Sequence, residues 1–270
     1  MSEGAALFTS HSYGGDALQT FDLFRPDAVT GESARPVVVF VHGGLWVARD
    51  KADYEGVGAC LAAHGFVTAV VNYRLTSADN SVRPPDHTRD LASALHAIAA
   101  LLSDTPHRGL VLFGHSCGAH MAAQVVLEAQ RFDTRSLDIR GVVGASGLYD
   151  LPQYVADFPA WAPYLHVTWT ADAARWESPQ TVAFHDADAS PHALRWLVLH
   201  FVGDSYVNDT QARQFLAKLR AAEPRFVAAV DEAFLPGEHF EAVNSVSRVN
   251  APDSPAAHLV NALLEFLNKL

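Results

Sequence analysis

Short, unbroken apolar runs of strand length recur along this chain, and they constrain its fold more than any other feature. Val37-Val38-Val39-Phe40-Val41 has no polar position, so a strand built from it needs cover on both faces, as in a parallel sheet flanked by helices. The same kind of run returns at Phe66 to Val71, Leu110 to Phe113, Val142 to Ala145, Leu197 to Val202 and Phe226 to Val230. Thr20-Phe21-Asp22-Leu23-Phe24 instead alternates and reads as an edge strand with one wet face, closed by Arg25-Pro26. Between the runs, Leu91, Leu95, Ile98 and Leu102 keep one helical face apolar, and Leu259, Leu263, Phe266, Leu267 and Leu270 repeat the pattern near the C-terminus. Strands alternating with helices predict an α/β sandwich with right-handed crossovers. Residues 1–17 are small and polar and read as a loose arm.

The run Leu110 to Phe113 leads into Gly114-His115-Ser116-Cys117-Gly118-Ala119 and then a helix-like stretch. A serine at the tip of a sharp strand-to-helix turn needs glycines two before and two after it, because side chains there would strike the neighbouring strand or helix. This is the nucleophile elbow of an α/β-hydrolase. The expected fold is therefore an α/β-hydrolase: a mostly parallel central sheet with helices on both faces, in a single domain over residues 1–270. Residues 150–191 break the rhythm, interleaving Pro152, Pro159, Pro163, Pro179 and Pro191 with Phe158, Trp161, Tyr164, Trp169 and Trp176. Falling between two core strands, they read as a small cap inserted over the carboxyl edge of the sheet, where ligands of open α/β sheets bind.

A serine hydroxyl is a weak nucleophile until a base takes its proton. In this fold the chain order is serine, acid, histidine. Among the fourteen histidines, His239 is best placed, in the loop Pro236-Gly237-Glu238-His239-Phe240 after the last strand run. The acid should leave the preceding strand, where a short loop can hold a carboxylate against the imidazole. Asp204 in Gly203-Asp204-Ser205 is the first candidate; Asp209 is second, reading equally well as a helix N-cap, and Asp150 is third. His42-Gly43-Gly44-Leu45-Trp46 follows the first buried strand and offers backbone N–H groups. The expected oxyanion donors are the N–H of Cys117 and that of Gly44 or Leu45. Cys117 itself should point away from the turn as a small buried hydrophobe. The histidines show no HExxH or zinc spacing, and no phosphate or dinucleotide loop is present, so neither a metal nor a cofactor is expected.

A net charge of −11 argues against nucleic acid or an anionic membrane as partner. Two distant cysteines are no disulfide framework, and with neither a signal-like N-terminus nor a run of about 20 apolar residues they point to a cytoplasmic protein. The expected partner is a small-molecule substrate; nothing in the sequence speaks against a homodimer.

Together these residues resemble the kynurenine formamidases (arylformamidases) of tryptophan breakdown. The loop His42 to Trp46 is similar to that family's HGGxW, and Gly114 to His120 to its GHSxGAH. The likeness continues through Ser146-Gly147-Leu148-Tyr149-Asp150, Asp204-Ser205 with Gln211 seven residues later, and His239-Phe240. It implies Ser116, Asp204 and His239 as a triad hydrolysing N-formyl-L-kynurenine to kynurenine and formate without a cofactor. The substrate's ring would need apolar walls, for which Trp46, Trp161, Tyr164 and Trp169 are the candidates. Asn72-Tyr73-Arg74-Leu75 resembles the wider hormone-sensitive-lipase-like carboxylesterases, so a general carboxylesterase or arylesterase is the alternative, and a non-catalytic binding protein on the same scaffold is a third reading.

Overall fold

A computed structural model of the chain describes residues 8–26, 34–185, 192–246 and 252–270. The strands are β1 (Thr9–Ser12), β2 (Thr20–Phe24), β3 (Val37–Val41), β4 (Thr68–Val71), β5 (Leu110–His115), β6 (Ile139–Ala145), β7 (Leu194–Phe201) and β8 (Val227–Leu235). They form one eight-stranded sheet in the order β1-β2-β4-β3-β5-β6-β7-β8. β1 and β2 run antiparallel at one edge, and every pairing from β4 to β8 is parallel.

Alternation along the buried strands feeds two cores. Val37, Val39 and Val41 face one layer, with α2 (Asp86–Leu101), α3 (Cys117–Leu127) and α6 (Asp209–Arg220). Val38 and Phe40 face the other, with α1 (Glu55–Ala63), α7 (Glu241–Asn244) and α8 (Pro255–Leu267). This is the two-sided burial that an uninterrupted valine run requires. Among the described residues, no helix is long and apolar enough to cross a membrane.

The expected loose arm is in part a strand. Residues 1–7 lie outside the described residues, but β1 pairs with β2 from Thr9↔Leu23 to Ser12↔Thr20. Its side chains are largely exposed, so no apolar pattern announces it; with β1 outside it, β2 is not the edge strand with one wet face that its alternation suggests but is paired on both sides and buried from Phe21 to Phe24. Phe66, Val202 and Phe226 fall just outside the strands whose runs they belonged to, and β8 continues to Leu235 along a half-exposed edge.

Between β6 and β7 lie α4 (Leu151–Asp157) and α5 (Ala162–Trp169). Leu151, Tyr154, Leu165, Trp169 and Trp176 bury themselves against the first core. The last part of the expected cap, residues 186–191, lies outside the described residues.

Register sets up the site. Val41 pairs with Gly114, and His115 with Ala145. The segments leaving β3, β5 and β6 therefore emerge side by side at the carboxyl edge.

Candidate active site

Ser116 occupies the turn between β5 and α3 with φ 57° and ψ −123°, a conformation that a non-glycine residue adopts only when its surroundings enforce it. The enforcement is visible at both glycines. A Cβ on Gly114 would stand 2.4 Å from the Ala119 nitrogen, and one on Gly118 would stand 2.1 Å from the Val41 carbonyl oxygen. The elbow thus closes only because β5, α3 and the end of β3 approach without side chains between them.

His239 reaches this edge from the loop between β8 and α7. Its Nδ1–H donates to Asp204 Oδ2 at 2.6 Å, and both side chains are buried. With Nδ1 engaged, Nε2 is the nitrogen left to exchange a proton. Asp204 Oδ1 accepts the backbone N–H groups of Tyr206 (2.9 Å) and Val207 (2.8 Å). Burial alone would raise the Asp204 carboxyl, but hydrogen bonds from His239, Val207 and the Ser146 hydroxyl outweigh it and hold it below the usual range. The other two acid candidates are engaged elsewhere. Asp209 opens α6 and pairs with Arg213 at 2.7 Å, and Asp150 caps α4 by accepting the Gln153 N–H.

The loop after β3 lies against the elbow: a Cβ on Gly43 would come within 2.8 Å of Ser116 Cβ. Gly44, Leu45 and Trp46 all have positive φ, at 110°, 50° and 62°. The Tyr73 hydroxyl holds the loop by donating to the carbonyls of His42 (3.1 Å) and Gly43 (3.3 Å). Cys117 is fully buried, and burial pushes its thiol up to about 11 even though the Trp46 N–H, the Tyr73 hydroxyl and the Leu45 N–H lie close enough to favour the thiolate.

The four aromatic candidates do not form one slot. Trp46 and Trp169 are 1 % and 6 % exposed; they pack edge-on to each other at 5.5 Å, both against His120. Trp161 and Tyr164 stand at the surface instead, 5.2 Å apart, with Tyr164 51 % exposed. They continue a row through Tyr206, 5.5 Å from Trp161 and 5.4 Å from the His239 ring. The sequence reading missed Tyr206, whose only signal was its place two residues after Asp204.

It also missed supporting groups. Ser146 accepts the Phe201 N–H and bonds Asp204; in the sequence it stands out, like Gln211, only through the resemblance. Gln211 accepts from the N–H groups of Tyr149 and Asp150 and donates to the Asp150 carbonyl, fastening the end of β6 to α6. The His115 Nε2–H donates to the His239 carbonyl. Among the described residues, no three histidine, cysteine or acidic side chains gather as a metal cluster.

The BD-FAE family profile matches residues 21–219. The chain is 31% identical to a kynurenine formamidase of Meyerozyma guilliermondii over 57% of its own length and 58% of that protein's. It is 27% identical to Esterase LipC of Mycobacterium tuberculosis over 96% of its length and 64% of that protein's. The chain thus spans less than two thirds of these curated relatives. Among solved structures, the carboxylesterase Cest-2923 of Lactobacillus plantarum superposes with a TM-score of 0.73 at 18% identity, covering 97% of each chain, a likeness of fold alone. Matched by that profile over most of its length and built on this sheet, the chain belongs to the BD-FAE family and has the α/β-hydrolase fold.

Proposed function

We propose that this hydrolase cleaves N-formyl-L-kynurenine to L-kynurenine and formate, with Ser116 as nucleophile, His239 as base and Asp204 as its orienting acid. The observation that carries the reading is the 2.6 Å His239–Asp204 bond on a loop that His115, the residue before the strained elbow serine, holds at 2.8 Å; the kynurenine formamidase relative supports the substrate.

His239 Nε2 takes the Ser116 proton as the hydroxyl oxygen attacks the formyl carbon. The N–H groups of Cys117 and Gly44, with Leu45 as the alternative loop donor, hold the oxyanion. The C–N bond then breaks as His239 returns its proton to the departing aryl amine, leaving formyl-serine. Water attacks this ester, His239 takes the water's proton and passes it to the Ser116 oxygen, and formate leaves. The row Tyr206, Trp161 and Tyr164 offers flat apolar surface on the His239 side, where an aryl leaving group departs. Residues 150–191 serve as a cap within a single domain. Both cysteines are free, which supports a cytoplasmic setting.

A general carboxylesterase is the second reading, favoured by the alignment with Esterase LipC across 96% of this chain. Measuring kcat/KM on N-formylkynurenine and on phenyl acetate separates the two. A large preference for the ester overturns the formamidase assignment. Failure of a phosphonate probe to label Ser116 overturns both and leaves a binding protein.

A further inference from the structure

Arg49 sits where the mechanism above has no use for it. The turn that delivers it is tight: the N–H groups of Val47 and Ala48 both donate to the Gly44 carbonyl, at 3.0 and 3.1 Å. Arg49 itself is held at φ 81°, a left-handed conformation that a long side chain adopts only under constraint. Its stem packs over Gly44 so closely that a Cβ there would stand 2.9 Å from Arg49 Cγ. Its guanidinium carbon lies 4.6 Å from the centre of the Phe240 ring. That ring is 4.7 Å from the imidazole of His239 and 5.3 Å from the ring of Tyr206. Arg49 is exposed, and among the described residues it has no carboxylate partner.

An exposed guanidinium without a carboxylate partner can take a carboxylate by charge-assisted hydrogen bonds. The chain's net charge of −11 gives an anion no general attraction to the surface, so a local cation is what would favour an anionic substrate here. The neighbouring aromatics, Phe240 and Tyr206, add a flat surface adjoining the charge, and both rings lie against the imidazole of His239, the proposed proton donor to the leaving group.

We propose that Arg49 is a carboxylate subsite, so that the preferred substrates are acyl-aryl compounds whose leaving group, not whose acyl group, carries the negative charge. This rests on the assignment of Ser116 and His239 as nucleophile and base, but not on the acyl group being formyl. It identifies a holder for the charged end of the leaving group, for which the sequence offered no candidate.

The test uses two acetate esters of equal size, 3-(3-acetoxyphenyl)propanoate and its uncharged primary amide. The ratio of their kcat/KM values is read in wild type, Arg49→Gln and Arg49→Lys, with N-formylkynurenine run alongside. The ratio compares two substrates on one preparation, so any misfolded fraction cancels. We expect it to favour the anion in wild type, to fall about tenfold in Arg49→Gln and to survive largely in Arg49→Lys. In wild type alone it should fall with added salt. A ratio unchanged in Arg49→Gln, or insensitive to salt in wild type, overturns the subsite. If N-formylkynurenine is turned over while the ratio ignores Arg49, this inference fails and the formamidase reading stands. If N-formylkynurenine is inert while the ratio collapses in Arg49→Gln, the reverse holds.

Discussion

The Nε2–H of His115 donates to the backbone carbonyl of His239 over 2.8 Å, joining residues 124 apart in sequence. The residue before the elbow serine thereby holds the loop that carries His239, the proposed base, and the two rings lie 4.7 Å apart. Serine and base are thus referenced to the same strand end, not to two independent loops. Replacing His115 with Phe keeps the bulk and removes the donor, leaving a buried carbonyl unsatisfied. We expect a loss of about 1–3 kcal/mol in urea unfolding and a fall in kcat of roughly tenfold or more from the loosened base. Stability and kcat both at wild-type levels would show that the bond holds nothing.

The pairing of His239 with Asp204 makes a sharp distinction among the acids. Ser116→Ala and His239→Ala should each lower kcat by about four orders of magnitude or more, and Asp204→Asn by about 10⁴ through the wrong imidazole tautomer. Asp209→Ala, which removes only a surface pair with Arg213, should stay within about twofold. Steady-state kinetics on whichever acyl substrate the enzyme accepts decides the matter.

Acid should unfold this protein early. Burial pushes His115 and His120 down to about 3 and His87 down to about 4, so these rings stay neutral in the fold while the unfolded chain protonates them below its ordinary value near 6.5. From there down to the folded values the unfolded state binds more protons, so stability falls as pH falls, by about 1 kcal/mol per pH unit for each ring. Asp204, held below the usual carboxylate range, adds stability that is present above about pH 4 and lost as pH falls further. Circular dichroism against pH should show cooperative unfolding around pH 4 to 5. In His120→Gln the midpoint should move to lower pH relative to stability at pH 8; an unshifted profile would mean that His120 is already charged in the fold.

Cys117, next to Ser116 in sequence, should be inert. Its side chain is fully buried and its thiol is pushed up to about 11, so little thiolate exists near neutral pH. Iodoacetamide at pH 7.5 should leave activity intact, and peptide mapping should find Cys117 unmodified. Inactivation that tracks Cys117 alkylation would contradict its burial.

Much of this molecule was legible from local pattern. Valine-rich runs predicted the central strands because a strand buried on both faces has no room for polar positions, and Gly114 and Gly118 predicted the elbow because a Cβ at either collides with backbone. β1 escaped notice because its side chains are exposed and its stability is backbone pairing, which leaves no trace in residue type. The split among the aromatic candidates is illegible in the sequence for a related reason. A tryptophan's sequence neighbours do not say whether its ring enters the core, as Trp46 and Trp169 do, or packs against Tyr164 and Tyr206, as Trp161 does.

The sequence by itself determined the strand and helix rhythm, the serine turn, the glycine loop facing it and the short set of histidine and acid candidates, since each of these is a constraint between residues close in the chain. Only the tertiary structure decided that Asp204 rather than Asp209 or Asp150 meets His239, that His115 and Ser146 hold that pair, and that Arg49 lies over Phe240 beside it. Those are contacts between loops that leave different strands. Sheet register and the packing of whole elements set their distances, and no spacing along the chain encodes them.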